Sequence, residues 1–243
     1  MTTNDIDSLL IITPVKDSIV TTEQTIRSVM ASKTTADWHY VVYDDFSTVE
    51  CSDRLDCLAL ELGFEVVHLR NITATPSPNY RLVLQTAQRR AIATRSHLII
   101  LESDVEVTLD SVDRLFQKAN STSKAGMVAA VTVDESEAVN FPYLYARRWS
   151  KKDRATRKRF SFCFTLLTNV FLQAFDFATL DPEKQWYDVT ISHESIKRGF
   201  TNTLMMTNPV VHRPHSSRPW KLLKYTNPLR YYWIKYTRGL DKI

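Results

Sequence analysis

Short apolar runs recur through the first half of the chain, and the stretches between them carry helical spacing. The runs are Ser8–Thr13 (SLLIIT), His39–Tyr43 (HYVVY), Phe64–Leu69 (FEVVHL), His97–Leu101 (HLIIL) and Met127–Val133 (MVAAVTV). Each is too short for a core helix, and most are too continuously apolar for a strand with one wet face. They read as strands buried on both sides. Pro14 is expected to end the first. Thr21 then opens a T-x-x-Q capping box with Gln24, ahead of Ile26, Val29 and Met30. Leu55, Leu58, Ala59 and Leu62 predict a helix that Gly63 stops. Ser77-Pro78 predicts a helix start, with the helix running to about Arg95, and Leu109–Ala119 predicts another. Strands alternating with helices make an α/β fold with a mostly parallel central sheet. The 243 residues suffice for one large domain with a small appendage.

Composition narrows what such a sheet can bind. Gly63, Gly126, Gly199 and Gly239 are the only glycines. No G-x-G-x-x-G turn or Walker loop exists, so a bound phosphate must be met by a metal ion or by basic side chains. Cys51, Cys57 and Cys163 have neither disulfide nor zinc spacing and read as free thiols in a reducing compartment. The net charge of +4 is unevenly placed. Arg147–Arg159 holds eight bases against one acid, and Arg218–Ile243 holds seven against one. An acidic body thus carries two basic patches, which are either solvated faces or contacts for polyanions.

Acids fall where three of these strands end. Asp17 follows the first strand, Asp44 and Asp45 the second, and Glu102 and Asp104 the fourth. In an open parallel sheet the C-terminal strand ends form the ligand crevice. Carboxylates gathered there repel one another unless a hard divalent cation sits among them, and such a cation completes its shell with phosphate oxygens. The alternative is that each acid caps the helix after its strand.

Leu9–Val15 (LLIITPV), Val41–Ser47 (VVYDDFS) and Ile99–Asp104 (IILESD), in this order and spacing, resemble the N-terminal half of family 2 glycosyltransferases of the GT-A fold. The resemblance covers residues 8–135 well and 186–215 more loosely. It implies one GT-A-like nucleotide-diphospho-sugar transferase domain over residues 1–217, with a nucleotide-sugar half at 8–135 and an acceptor half at 136–217. It also implies that Thr13, Pro14 and Asp17 line the nucleotide pocket with Asp44 and Asp45. Glu102-Ser103-Asp104 stands in place of the Asp-X-Asp motif, with Asp104 on Mg²⁺ or Mn²⁺ and Glu102 and Ser103 toward the nucleotide. Arg81 would meet phosphate. Tyr187-Asp188, followed by Arg198 and Gly199, resembles the block whose Asp is the acceptor-activating base, and His212 the further metal ligand of some members, ahead of His215. There are departures: Lys16 follows P-V, Phe46 replaces the glycine of V-D-D-G-S, Glu102 replaces the first Asp, and Tyr187 replaces a Glu.

Residues 134–160 read as a long loop. The tail, residues 218–243, has Asn227 as a cap, Pro228 at the first helical position and Gly239 at the end. Its helix places Leu229, Tyr232, Trp233, Tyr236 and Leu240 on one side and Arg230, Lys235, Arg238 and Lys242 on the other. Such a basic aromatic helix either lies on an anionic membrane surface or docks on the domain.

The expected function is therefore metal-dependent inverting transfer of a sugar from a nucleotide-diphosphate donor to a hydroxyl of a glycan or lipid-linked acceptor, in cell-surface polysaccharide synthesis. The expected location is cytoplasmic, peripheral at the inner face of the membrane, with no nucleic-acid partner. The competing readings are a nucleotidyltransferase, which normally needs the missing glycine-rich loop, and a non-catalytic nucleotide-sugar or polyanion-binding module.

Overall fold

The apolar runs become strands in a computed structural model that describes residues 8–183, 186–213 and 227–237. The first half alternates β1 (Ser8–Val15), α1 (Ile19–Met30), β2 (Asp37–Asp44), α2 (Val49–Leu62), β3 (Glu65–His68), α3 (Tyr80–Ala93) and β4 (His97–Leu101). A two-residue strand, β5 (Val105–Glu106), precedes α4 (Ser111–Ser121) and β6 (Ala125–Val133). The second half adds β7 (Arg154–Ala155), β8 (Phe164–Leu167), α5 (Asn169–Ala174), α6 (Tyr187–Lys197) and β9 (Thr201–His212).

The strand order is β3-β2-β1-β4-β8-β6-β9-β5, with β7 also on β9. The first four strands in this order are parallel, as the alternating pattern predicts. β8 runs antiparallel to both β4 and β6, so the sheet is mixed beyond β4. β6 and β9 then regain the direction of β4. The C-terminal ends of β1, β2, β4, β6 and β9 therefore share one end of the sheet. The order reverses between β1 and β4, which places the crevice beside those two strand ends.

Alternating side chains of β1 feed two cores. Leu10 and Ile12 face α3, α5 and α6 through Leu84, Phe171 and Ile191. Leu9 and Ile11 face α1, α2 and α4 through Ile26, Leu55 and Leu115. Burial on both sides is what the continuous apolar runs require. Gly126 matters for α6, because a Cβ there would lie 2.2 Å from Ser195 Oγ and 2.6 Å from Phe200 Cβ. The missing side chain lets α6 lie close against β6.

Three local expectations need correction. Pro14 does not end β1 but lies within it, opposite Tyr43. The Thr21–Gln24 capping box does not form. α1 begins earlier, at Ile19, and the Thr21 and Thr22 hydroxyls each donate to the Ser18 carbonyl at 3.0 Å. Ser77-Pro78 precedes α3 without capping it, because the Ser77 hydroxyl is drawn 2.8 Å to Asp45 and the helix starts at Tyr80. The Gly63 and Gly199 stops do form, both at positive φ. The segment 134–160 is mostly irregular, as expected, apart from a short 3₁₀ turn and β7.

Backbone contacts divide the chain into residues 1–213 and 214–243. In the second unit, α7 (Pro228–Thr237) starts where Asn227 and Pro228 predict, and Asn227 Oδ1 accepts from the Arg230 N–H at 3.1 Å. The Gly239 stop, His215, Arg238, Leu240 and Lys242 lie outside the described residues, as do the side chains of Lys235 and Tyr236. No helix among the described residues is long and apolar enough to cross a membrane.

Candidate active site

The strand ends carry two kinds of acid. Asp44, the last residue of β2, is fully buried. It accepts from the Ser47 N–H (3.0 Å), the Ser52 hydroxyl (2.7 Å) and His68 Nδ1 (2.8 Å), with Arg70 Nη2 at 3.8 Å. Burial opposes its ionisation, but the hydrogen bonds from Ser47, Ser52 and His68 outweigh it and hold the carboxyl below its ordinary value. Asp45 accepts from Ser77 Oγ, Asn79 N and Asn79 Nδ2, each at 2.8 Å, and so fixes the start of α3. Asp17 accepts from the Thr48 N–H at 2.8 Å and gives its own N–H to Ser47 Oγ. It ties the end of β1 to the turn after β2.

None of these acids caps the next helix as the alternative reading supposed. Thr48 is the cap of α2, and its hydroxyl accepts from Cys51. Asp17, Ser18 and Phe46 all take positive φ, between 56° and 59°, at this rim. For Phe46, where the family pattern has glycine, the left-handed conformation costs roughly 1–2 kcal/mol. The ties from Asp17 and Asp44 hold it there.

The acids after β4 behave differently. Glu102-Ser103-Asp104 forms the tight turn between β4 and β5, with the Val105 N–H on the Glu102 carbonyl. β5 then pairs antiparallel with the end of β9, Val105 opposite His212. That pairing brings His212 Nε2 to 3.6 Å from Asp104 Oδ2, with both side chains more than nine-tenths buried. The other ring nitrogen, Nδ1, lies 2.7 Å from the Phe141 carbonyl, to which it donates, so Nε2, the nitrogen facing Asp104, is the one that takes or releases a proton. Burial opposes protonation of His212, yet the Asp104 carboxylate outweighs it and raises its pKa.

From β8's side, Cys163 Sγ donates to Glu102 Oε2 at 2.9 Å. Ligand atoms of Glu102, Cys163 and His212 lie within 4.8 Å of one another. Burial and the Glu102 charge push the Cys163 thiol up, so it is a neutral donor. Asn140 donates to the His212 carbonyl at 3.0 Å, and its Oδ1 is a buried acceptor without a hydrogen-bond partner.

The structure thus brings Glu102, Asp104 and His212 together. Ser103 lies in the same turn, nearly buried. Thr13 is different: it is fully buried and its hydroxyl accepts from Tyr40 at 2.9 Å, so its side chain offers no surface to a nucleotide. Pro14 and Asp17 do reach the rim of the crevice, being half-buried. Arg81, in the first turn of α3, gives Nη1 to the Leu180 carbonyl at 3.0 Å. Asp188 is half-buried in the first turn of α6 and accepts from the Val189 N–H at 2.9 Å. Its carbonyl accepts from Ser192 Oγ, which in turn accepts from the Phe160 N–H. Those contacts set α6 against the segment that leads to Cys163.

Sequence reasoning missed Cys163, Asn140 and His68. No spacing signals Cys163, because its place beside Glu102 depends on β8 pairing with β4 from 61 residues away. His68 closes an Asp44–His68–Asp56 bridge, with 2.9 Å to Asp56. Its only sequence signal is a polar residue inside an apolar run.

Solved structures share this arrangement of strands. GalNAc-T7 with UDP, GalNAc and Mn²⁺ superposes with a TM-score of 0.62 and 14% identity, over 86% of this chain and 44% of that one. The mannosyltransferase PcManGT from Pyrobaculum calidifontis, in complex with GDP-Man and Mn²⁺, gives 0.64 and 14%, over 97% and 64%. TarS residues 1–349 from S. aureus gives 0.63 and 11%, over 84% and 60%. At such identities the likeness is one of fold, the GT-A α/β architecture. The chain spans less than two thirds of the length of each of these proteins. No curated protein matches it significantly in sequence. The family model described as Glycosyl transferase family 2 matches residues 10–178, well over half of the chain. The chain therefore belongs to glycosyltransferase family 2.

Proposed function

We propose that this chain is a metal-dependent inverting glycosyltransferase that moves a sugar from a nucleotide-diphosphate donor to a hydroxyl of a glycan or lipid-linked acceptor. The observation that carries the reading is the convergence of Asp104, Glu102 and His212, with His212 Nδ1 engaged by the Phe141 carbonyl and Nε2 facing Asp104, where a cation would replace its proton. Carboxylate oxygens suit Mg²⁺ and Mn²⁺ alike, and an imidazole nitrogen favours Mn²⁺ over the more oxygen-demanding Mg²⁺. The orphaned Asn140 Oδ1 beside His212 suits a site completed by a ligand or its water. Asp104 and His212 would hold the ion, with Glu102 beside them. When bound, it neutralises charge on the leaving diphosphate.

The remaining chemistry belongs to the protein. The acceptor oxygen attacks the anomeric carbon as the bond to the diphosphate oxygen breaks on the opposite face, so one displacement inverts the configuration. Asp188 takes the acceptor proton, a contribution of about 10²–10⁴-fold for a positioned base. Pro14, Asp17 and Ser103 line the nucleotide side, and Asp44 and Asp45 hold the turn and helix start that shape it. Arg81, anchored at the α3 start, faces the phosphates.

The acceptor is proposed to be a cell-surface polysaccharide precursor, handled at the inner face of the membrane. Eight exposed bases between Arg147 and Arg159 support an anionic acceptor or surface. The test is calorimetric titration of the chain with UDP, GDP, ADP and CDP, with and without Mn²⁺, repeated on Asp104→Ala. Metal-dependent binding of one nucleotide that the variant loses supports the reading. Binding of none of them would leave the cluster structural and return the basic segment to a polyanion-binding module.

A further inference from the structure

Tyr80 has no part in the site as described so far. It is the first residue of α3 and directly follows Asn79, whose N–H and side-chain amide are both held by Asp45. Its backbone position is therefore fixed to the end of β2. Its ring packs edge-on against Phe162 at 6.5 Å, on the segment leading to Cys163, and against Tyr187 at 6.4 Å, the residue before Asp188. The phenol is so wedged between the two halves of the site. The charges of Glu102, after β4, and of Asp188, in α6, both bear on it.

Its ring is packed, but the residue is half-buried and no hydrogen bond of its hydroxyl to a described residue ties it down. Its oxygen is therefore open to a hydrogen bond from outside the fold. Burial, with the charges of Glu102 and Asp188, pushes its pKa well above the ordinary value, so it is a donor.

In a direct displacement the transferred sugar must lie between the diphosphate, at the metal cluster, and the base that takes the acceptor proton. Tyr80 occupies the wall of that interval. We propose that Tyr80 is a donor-sugar-binding residue, its hydroxyl donating to a hydroxyl or ring oxygen of the transferred sugar, and that it sets which sugars the nucleotide site accepts. The inference rests on the glycosyltransferase reading.

The test separates sugar from nucleotide. Dissociation constants are measured with Mn²⁺ for UDP and GDP and for their glucose, galactose, N-acetylglucosamine and mannose conjugates, on the wild-type chain and on Tyr80→Phe. The variant keeps the ring and its packing, and a thermal melt checks that its stability is retained. The expected result is unchanged affinity for the free nucleotide and a loss of about 3- to 10-fold for the preferred nucleotide sugar, the usual worth of one hydrogen bond. Equal weakening of nucleotide and nucleotide sugar, or no change in either, overturns the role of Tyr80 while leaving the transferase reading in place. Failure of the wild-type chain to bind any of these ligands overturns both.

Discussion

The acids after β2 and those after β4 look alike in sequence and do opposite things. Both follow an apolar strand, and both sit at the same end of the sheet. Asp44 and Asp45 receive six hydrogen bonds from serine, asparagine and histidine groups nearby, at 2.7–3.0 Å. Glu102 and Asp104 instead meet groups brought from β8 and β9: a thiol, and an imidazole at ion-pair distance. The first pair is occupied by hydrogen bonds from the turn after β2, the end of β3 and the start of α3, and ties those elements together. The second pair is gathered with other ligand-type atoms, an arrangement that a folded chain keeps for binding. A carboxylate's role is thus decided by where its partners come from.

The largest expected effect lies in the second pair. Asp104→Ala should abolish metal-dependent nucleotide binding while lowering unfolding free energy by only about 1–2 kcal/mol, because His212 loses a buried partner but can shed its proton. Urea denaturation and calorimetry on one preparation give both numbers. A variant that binds normally but unfolds early would place Asp104 with the scaffold acids.

Asp44→Ala should do the reverse. It leaves the Ser47 N–H, the Ser52 hydroxyl and a charged His68 without their shared acceptor in a buried place. The cost is about 2–4 kcal/mol. Nucleotide binding, measured where the variant is still folded, should fall much less than in Asp104→Ala. If stability is unmoved and binding is lost, the comparison between the pairs collapses.

Asp45→Ala is expected to cost less, about 1–3 kcal/mol, since the Ser77 hydroxyl is only half-buried and water can replace that part of what is lost. Its sharper signature is functional. Asn79 precedes Tyr80, so loosening the α3 start should weaken binding of the preferred nucleotide sugar more than that of the free nucleotide. Calorimetry with both ligands reads that ratio, and equal weakening would detach Asp45 from the sugar side of the site.

The parallel half of the fold was legible because its strands are buried on both faces and so appear as uninterrupted apolar runs. β5 and β7 were not, since two-residue strands leave no periodicity. β8 was seen only as an apolar stretch, and its antiparallel placement depends on chain reversal that no local pattern encodes. Asp104 and His212 could be named from motif resemblance, but their contact arises from the β5–β9 pairing across 107 residues. Thr13 shows the opposite failure. It stands in the motif, yet alternation along β1 sends its side chain to the Tyr40 face. Local capping failed where a tertiary acceptor outcompeted it: Ser77 turns to Asp45 and leaves α3 uncapped by its side chain.

The smallest effect tests the scaffold pair through pH. His68 loses ionisation free energy to burial but gains more from Asp44 and Asp56, so its folded pKa is raised above the ordinary 6.5. The folded state therefore holds this proton more tightly than the unfolded chain. Its stabilisation is complete below about pH 6.5 and disappears as pH rises through the raised folded value. Asp44 has its folded pKa lowered, so its stabilisation is present above its ordinary 3.8 and disappears as pH falls through the lowered value. Between these limits both groups are charged and paired. Unfolding free energy should then be highest in mild acid and decline by about 1 kcal/mol toward pH 9, the scale of one charge-assisted hydrogen bond. In His68→Gln that decline should flatten, because glutamine can still donate to Asp44 but does not titrate. A decline of equal size in the variant would assign it to other groups, and Asp44 would then be held by Ser47 and Ser52 alone.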